Sequence, residues 1–426
     1  MKTKTPDFQQ TYRWLIVILA GFLLAGCGAQ IETQHSSQPP TAAAVSQPTE
    51  TQAFTQTLTL IPTLIPTLTP TAVPSTPVTA TVWESDPSIV ILTYHQFAEN
   101  IAKQSTGLKV RFEDFEYQLN QIYDAGFSLV PLEDWLAGRM VVPEGRRPLI
   151  LSLDDLYFNN QIRLDENGSP RPDTGLGILW DFYQQHPDFG YSAALFVNLG
   201  NKLYANPDDP GWEMELAETI AWGMDHDLMP YNHFYTHPRL DWSTGSAILW
   251  EAEQNDVYLR QLLRMANRED LIPRLGNILA LTYGIWPKRG DIGPMLSYVN
   301  PEGEPVQAVM EIDRISLEMY LLPPYAPAFN RYHLPRHVAS PSAVDFLVAN
   351  AEKFPRAQIC DLGEVPDSIL TEAEPLAEYV GEQASLRDCP TGVYVIEPPV
   401  SQEVFLFQVG SGQAEILELV TETGKS

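Results

Sequence analysis

The chain has 426 residues, of which 44% are hydrophobic and 10% aromatic, enough for one large domain or two ordinary ones with a tail. Acidic residues outnumber basic ones 54 to 26, and the net charge of −28 repels phosphate backbones, so no nucleic-acid partner is expected. Three cysteines exclude a disulfide-rich scaffold and a cysteine-rich zinc or iron–sulfur module.

The N-terminus has the pattern of an export signal. Basic residues precede an apolar run over 14–24, which is too short to cross a bilayer because a spanning helix needs about twenty residues. The four residues that close this run, Leu24-Ala25-Gly26-Cys27, resemble a bacterial lipobox, in which the cysteine is acylated. Residues 1–27 are therefore predicted to be a lipoprotein signal peptide, and the protein to be exported and lipid-anchored at Cys27 to the outer face of the membrane or in the cell envelope. A signal peptide with an incidental cysteine is the alternative.

A tether is predicted over residues 28–83. This stretch is rich in Thr, Pro and Ala, and its only charged side chain between Gln34 and Trp83 is Glu50. Such a composition buries too little apolar surface to offset the entropy of ordering, so an extended, disordered stalk is expected.

From residue 84 onward, patterns typical of strands alternate with patterns typical of helices. Strands are predicted over 88–94, 127–130, 148–153, 192–197 and 276–282, and helices over 112–125, 173–185, 214–224 and 245–266. This alternation predicts an α/β fold of parallel βαβ units, an irregular (β/α) barrel over residues 84–356.

A small β-rich extension is predicted over residues 357–426. Short strands are expected over 392–396, 404–409 and 415–420, the last two forming a hairpin. Cys360 and Cys389 are expected to form a disulfide in an oxidising exterior, with two free buried thiols as the alternative.

Candidate chemistry lies where predicted strands end. His95 follows the first strand, and Asp154 and Asp155 close the strand over 148–153. Adjacent residues of a pleated strand point to opposite faces, so one acid can bind a metal while the other acts as a base. His233 and His237 are four residues apart, which on a helical turn places both on one face as a divalent metal requires. Together these residues predict metal-assisted hydrolysis of an acyl group. Each feature alone has an alternative explanation. The two acids could cap a helix or lie in a polar loop, and the two histidines could lie on the solvent-exposed surface without binding a metal.

Several stretches resemble motifs of one family. Leu151–Asp155 is similar to a Thr-Phe-Asp-Asp motif, and Asn232–Pro238 is similar to Asn-His-Thr-Tyr-Thr-His-Pro. Ala193–Val197 resembles the apolar strand between them, and Thr282-Tyr283-Gly284 resembles a later Pro-Tyr-Gly motif. These motifs belong to the polysaccharide deacetylases, also called NodB-homology proteins or family 4 carbohydrate esterases. The first strand, Leu92–His95, is similar to that of the poly-N-acetylglucosamine deacetylase branch.

The resemblance implies a role for each matching residue. Asp154 is expected to be the general base, and Asp155, His233 and His237 are expected to bind Zn²⁺ or another divalent metal. The backbone amide of Tyr283 is expected to stabilise the oxyanion. The implied reaction removes acetyl groups from N-acetylated sugars of a cell-surface or extracellular polysaccharide.

Two departures affect the expected base and its surroundings. Leu156 stands where the family has glycine, and an insertion of about thirty residues follows it. Ala280 stands where many members have an arginine that orients the base, and Arg336 is the candidate substitute.

The general acid is not fixed by the motifs, since the family's late Leu-x-His motif has no clear counterpart. His95, His333 and His337 are the candidates, with His95 assigned to catalysis.

These departures leave a second function open, namely a non-catalytic carbohydrate-binding surface lipoprotein on a degenerate deacetylase scaffold. Four tryptophans are candidates for stacking on sugar rings: Trp180, Trp212, Trp222 and Trp286. A serine hydrolase is not expected, because the chain has no Gly-x-Ser-x-Gly nucleophile motif.

Overall fold

The computed structural model describes residues 74–101, 105–106, 108–156, 158–202, 210–312, 320–401 and 403–420. The predicted signal peptide, Cys27 and most of the predicted tether lie outside these ranges. Among the described helices, none combines the length and apolar character needed to cross a membrane.

The described residues form strands and helices in an alternating order over most of the chain. The strands are β1 (Ser75–Trp83), β2 (Val90–Tyr94), β3 (Gln96–Ala98), β4 (Lys109–Arg111), β5 (Phe127–Leu129), β6 (Arg147–Asp154), β7 (Ala193–Val197), β8 (Leu228–Asn232), β9 (Ile278–Ala280), β10 (Ala308–Ile312), β11 (Leu334–Val338), β12 (Gln358–Pro366), β13 (Gly392–Ile396), β14 (Phe405–Gly410) and β15 (Gln413–Ile416). The helices are α1 (Phe112–Asp124), α2 (Leu132–Leu136), α3 (Phe158–Gln161), α4 (Gly175–Gln185), α5 (Trp212–Met224), α6 (Gly245–Met265), α7 (Arg289–Leu296), α8 (Pro341–Ala349) and α9 (Ala373–Leu386).

The central element is a closed barrel of parallel strands. Eight strands are hydrogen-bonded in the order β2-β11-β10-β9-β8-β7-β6-β5, and an additional parallel pairing of β2 with β6 closes the ring. Among the described strands, β5 pairs only with the first residues of β6 and lies outside the ring. The barrel therefore has seven strands, β2 and β6 to β11. The predicted irregular (β/α) barrel is therefore confirmed.

Burial on both faces explains the composition of the barrel strands. Every residue of β6 and β7 is buried, and both strands are nearly continuous apolar runs, as expected when helices cover a parallel sheet. Outside the barrel, α1 buries Phe115, Leu119 and Ile122 at helical spacing. Gly126, with a φ of 87°, then reverses the chain into β5.

A second, antiparallel sheet has the strand order β12-β1-β13-β14-β15. The expected hairpin is present, with Gly410 paired to Gln413, although β15 ends at Ile416 rather than at residue 420. The helix α9 packs against this sheet and buries Leu376 and Val380 in a core shared with it. The sequence did not predict β12 or α9.

The predicted end of the tether at residue 83 is wrong, because residues 75–83 form β1 in the middle of this second sheet. Val78, Ala80 and Val82 are buried in the sheet's core, whereas Thr79 between them is exposed. Residues 78–80 thus alternate as in a strand with one covered face, whereas Thr81, Val82 and Trp83 are all buried. The Thr/Pro-rich composition of the preceding sequence makes this short pattern hard to recognise. Trp83 is fully buried and donates a hydrogen bond to the Met140 carbonyl, so the strand also joins the barrel's core.

The structure contains the expected disulfide between Cys360 on β12 and Cys389 after α9, which are 29 residues apart. Cys360 is buried against the core of the second sheet.

Candidate active site

Polar side chains from four barrel strands meet at the carboxyl end of the barrel. Asp154 is the last residue of β6, His95 and His233 directly follow β2 and β8, and Arg336 is the middle residue of β11. Because all barrel strands run parallel, their carboxyl ends open on one mouth, where this fold places functional groups.

Asp154 and Arg336 form a buried ion pair with two hydrogen bonds. The Arg336 guanidinium donates from Nη1 to Oδ1 at 2.5 Å and from Nη2 to Oδ2 at 3.1 Å. The two residues are 2% and 0% exposed, respectively, so the pair is shielded from water. Arg336 also lies over the ring of Phe196, with its Cζ 4.6 Å from the ring centroid. This geometry holds the carboxylate in one fixed orientation.

Asp155 does not point away from Asp154, contrary to the expectation from a continuing pleat. The strand ends at Asp154, and Asp155 takes a left-handed conformation with a φ of 73°. As a result both carboxylates reach the same histidine, with Asp154 Oδ2 and Asp155 Oδ1 each 3.8 Å from His233 Nε2. Leu156, with a φ of 33°, continues the turn at the position where glycine was expected. Such strained backbone is typical of functional sites.

His233 and His237 lie together, but on an irregular turn rather than on the expected helical turn. Phe234 and His237 have positive φ angles of 58° and 52°, which fold the segment back on itself. The two imidazole rings are 4.9 Å apart. His233 Nδ1 pairs with the Ala280 carbonyl at 2.9 Å, which leaves Nε2 to face the acids.

Asp155, His233 and His237 form a group that fits a divalent cation. One ligand atom from each lies within 4.8 Å of the others, and His237 Nε2 is 3.4 Å from Asp155 Oδ1. Two ligands about 2.1 Å from a tetrahedral ion are separated by about 3.4 Å. The distances from Asp155 Oδ1 to His237 Nε2 and to His233 Nε2, 3.4 and 3.8 Å, are close to that separation. One carboxylate with two imidazoles is also a donor set that zinc and related metals accept.

Burial and neighbouring charges shift the pKa values of all four groups. Burial raises the pKa of Asp154, but the charge and hydrogen bonds of Arg336, together with the nearby His233 and His95, outweigh burial and lower that pKa to about 2. Burial raises the pKa of Asp155 to about 6, and the adjacent Asp154 charge adds to the shift. Burial lowers the pKa of His233 to about 3 and also lowers that of His237. Both imidazoles are thus kept neutral, the form that binds metals.

The candidate histidines have different surroundings. His95 Nε2 is 3.7 Å from Asp154 Oδ2, and its Nδ1 is buried without a hydrogen-bond partner among the described residues. His337 follows Arg336 on β11, so its side chain points to the opposite face of the strand. His333 is half-exposed and lies against Trp286 and Glu311. Of the three, His95 is the one next to the acids.

Tyr283 lies at the rim of this mouth. Its φ of 58° bends the segment after β9, and its ring contacts the His237 ring at a centroid distance of 4.5 Å. The side chain is 47% exposed, so it borders the solvent side of the metal-ligand group.

Two supporting residues were not predicted from the sequence. Asn198, after β7, donates a hydrogen bond from Nδ2 to Asp155 Oδ1 at 2.7 Å. Gln161, the last residue of α3, donates from Nε2 to the backbone carbonyls of Asp154 and His95. Asn198 could have been suspected only because an amide side chain directly follows the buried strand β7. No sequence pattern distinguished Gln161.

The four tryptophans considered for sugar stacking are all half-buried. Trp180 and Trp222 pack edge to face at 5.5 Å within an aromatic cluster that includes Tyr191. Trp286 donates a hydrogen bond from Nε1 to Glu311. Trp180 and Trp222 therefore serve packing rather than an open surface.

A scan against protein-family models matched none, and a search of curated proteins found no match. Solved structures of deacetylases are similar to the chain. Deacetylase PplD from Streptococcus pyogenes, in complex with acetate, shares 13% identity over 62% of this chain and 99% of its own, with a TM-score of 0.41. IcaB from Ammonifex degensii shares 15% identity over 63% of this chain and 98% of its own, with a TM-score of 0.39. BC0361, a polysaccharide deacetylase from Bacillus cereus, shares 14% identity over 62% of this chain and 69% of its own, with a TM-score of 0.41.

Proposed function

We propose that the protein is a metal-dependent hydrolase that removes acetyl groups from N-acetylated sugars of a cell-surface or extracellular polysaccharide. The observation that carries this proposal is the grouping of Asp155, His233 and His237 beside a second acid, Asp154, that Arg336 holds in place. These residues also resemble deacetylase motifs and occur in the same order along the chain. That resemblance supports an N-acetyl group as the acyl group that is removed.

Asp155, His233 and His237 would hold the metal, most simply Zn²⁺. When bound, such an ion polarises a carbonyl oxygen and lowers the pKa of water towards about 7. Asn198 hydrogen-bonds Asp155, and the Ala280 carbonyl hydrogen-bonds His233, so both ligands are oriented by fixed neighbours.

Asp154 would act as the general base. It stays ionised because Arg336 stabilises its charge, and its Oδ2 faces His233 and His95 at 3.8 and 3.7 Å. A carboxylate held this rigidly takes a proton without first reorganising its surroundings.

The reaction is hydrolysis of an acetamide. Water adds to the carbonyl carbon while Asp154 takes one of its protons, and the carbon–nitrogen bond then breaks. The acetic acid that forms releases its remaining water-derived proton to the solvent and becomes acetate. The nitrogen takes a proton and leaves as an amine. His95, beside Asp154, would supply that proton, and the backbone amide of Tyr283 would stabilise the oxyanion at the rim.

We also propose that the enzyme is anchored outside the cell through Cys27. The lipobox-like sequence and the Thr/Pro-rich segment that follows support a lipid anchor with a stalk. A Cys27→Ser variant should lose incorporation of labelled fatty acid and pass from the membrane fraction to the soluble fraction. Continued membrane retention and labelling of the variant would contradict the anchor.

The test of the activity is acetate release from N-acetylglucosamine oligomers and from peptidoglycan by the zinc-loaded protein, with Asp154→Asn as the control. Acetate from the parent and none from the variant supports the proposal. Saturable glycan binding without acetate release from any substrate would instead favour the carbohydrate-binding alternative. The acidic balance of the chain suits a neutral or amine-bearing glycan better than a polyanion.

A further inference from the structure

One buried face of α6 contacts both segments that carry the candidate metal site. Two of the buried polar residues of this helix, Glu251 and Asn255, are four residues apart and are 8% and 0% exposed. Residues at this spacing lie on the same side of a helix. Neither belongs to a motif singled out in the sequence.

Asn255 bridges the ends of two barrel strands. Its side-chain nitrogen donates to the Val197 carbonyl at 2.8 Å and to Asn232 Oδ1 at 3.3 Å, and its oxygen accepts from the Leu199 backbone at 2.9 Å. This places it beneath Asn198, the residue that hydrogen-bonds Asp155.

Glu251 binds the turn that carries the second histidine. Its carboxylate accepts hydrogen bonds from the Thr236 backbone nitrogen at 2.7 Å and from Thr236 Oγ1 at 2.6 Å. Its backbone carbonyl accepts from the Tyr235 backbone nitrogen at 3.1 Å. Three hydrogen bonds from one residue thus fasten the two positions that precede His237.

The two histidines depend on this turn to different extents. His233 directly follows β8, where its backbone nitrogen donates to the Val197 carbonyl at 2.9 Å and its ring pairs with Ala280. His237 lies four residues further along an irregular segment with left-handed residues at 234 and 237. Its position relative to Asp155 is therefore set by how the turn is held.

We propose that Glu251 is a positioning residue for the metal site, fixing the turn at Thr236 so that His237 faces Asp155. The proposal rests on the proposed metal-dependent function. A buried carboxylate is costly unless its charge is satisfied, and here the Thr236 donors satisfy it, so the contact specifies one geometry of the turn. Residues that orient metal ligands typically change metal affinity about 10–100-fold when they are removed.

The experiment measures Zn²⁺ affinity by competition with a chromophoric chelator and, separately, the melting temperature of each metal-free protein. Glu251→Ala should weaken zinc binding about 10–100-fold. Glu251→Gln should recover most of that loss, because its amide can still accept from the Thr236 nitrogen and pair with the hydroxyl. Glu253→Ala, an exposed position on the same helix, is the matched control and should bind zinc like the parent.

Thr236→Val provides a second route to the answer should Glu251→Ala fail to fold, because it removes one partner of the carboxylate and keeps the helix intact. It should weaken zinc binding as well. If Glu251→Ala or Thr236→Val binds zinc as tightly as the parent, even with a lowered melting temperature, the Glu251–Thr236 contact only stabilises the fold. That result would overturn the inference. Absence of zinc binding by the parent would instead overturn the proposed function, and this inference with it.

Discussion

Arg336 on β11 holds both carboxylate oxygens of Asp154 on β6, a residue 182 positions earlier in the chain. In the deacetylase motif that Thr282-Tyr283-Gly284 resembles, the expected orienting arginine would stand at the position of Ala280, on β9. Another strand of the same barrel thus delivers a guanidinium to the acid, which the closed ring allows because all of its strands end at one mouth.

Removing one partner of this pair should cost more than removing both. Arg336→Met leaves a buried carboxylate without its counter-charge, and we expect a loss of about 3–5 kcal/mol in the unfolding free energy of the metal-free protein. Arg336→Met combined with Asp154→Asn should recover part of that loss, because no buried charge remains. Urea denaturation of the two single variants and the double variant measures the coupling. Additive losses would show that the two residues do not stabilise each other.

The boundary of the folded part should lie before β1 rather than after it. A protein that begins at residue 84 lacks the strand between β12 and β13, together with the fully buried Trp83. We expect it to aggregate or to melt well below a protein that begins at residue 70. Trp83→Ala in the longer protein should by itself cost about 3–5 kcal/mol. Equal melting temperatures for the two lengths would contradict the placement of β1.

The Cys360–Cys389 disulfide should stabilise the second sheet and leave the metal site unchanged. For a loop of 29 residues, cross-linking is worth about 3–4 kcal/mol by the chain-entropy relation. A Cys360→Ser/Cys389→Ser variant should therefore unfold at lower urea concentration while keeping the zinc affinity of the parent. A change in zinc affinity without a change in unfolding would contradict this separation.

Glu133 should make stability fall as pH rises towards neutrality. Burial raises the pKa of this carboxyl to about 7, so between about pH 4.3 and pH 7 the folded protein retains a proton that the unfolded chain releases. Unfolding free energy should decrease through that window and the penalty should persist above it. Glu133→Gln should therefore gain stability relative to the parent, by about 1–3 kcal/mol at pH 8.

The gain from Glu133→Gln should vanish near pH 4, where the parent carboxyl is protonated in both states. Denaturation of the parent and the variant at pH 4, 6 and 8 checks this. A difference that does not depend on pH would show that Glu133 keeps an ordinary pKa.

Strands with an apolar run at their centre were predictable, whereas strands interrupted by proline or charge near their centre were not. β6 and β7 were recognised from the apolar runs Leu149–Leu151 and Ala193–Val197, because burial on both faces favours apolar residues. β8 and β11 were missed, since Pro230 and Pro335 are uncommon within central strands and Arg336 and His337 are unusual in a buried one.

The site residues were predictable by type, but their local geometry was not. Asp154, Asp155, His233 and His237 could be chosen because they follow predicted strands at a spacing suited to metal ligands. The turns that bring them together require a left-handed backbone conformation at residues such as Asp155 and His237. The local sequence does not predict this conformation at either position. Contacts such as Arg336 with Asp154 come from closure of the barrel and join positions that are distant in sequence.

The two adjacent acids are proposed to have different roles, Asp155 holding the metal and Asp154 accepting the proton. The most direct test measures zinc content and acetate release together for the parent, Asp154→Asn and Asp155→Asn, with N-acetylglucosamine oligomers as substrate. We expect Asp154→Asn to keep its zinc and release no acetate, whereas Asp155→Asn should lose both the zinc and the acetate release. Acetate release by Asp154→Asn, or full zinc retention by Asp155→Asn, would contradict these roles.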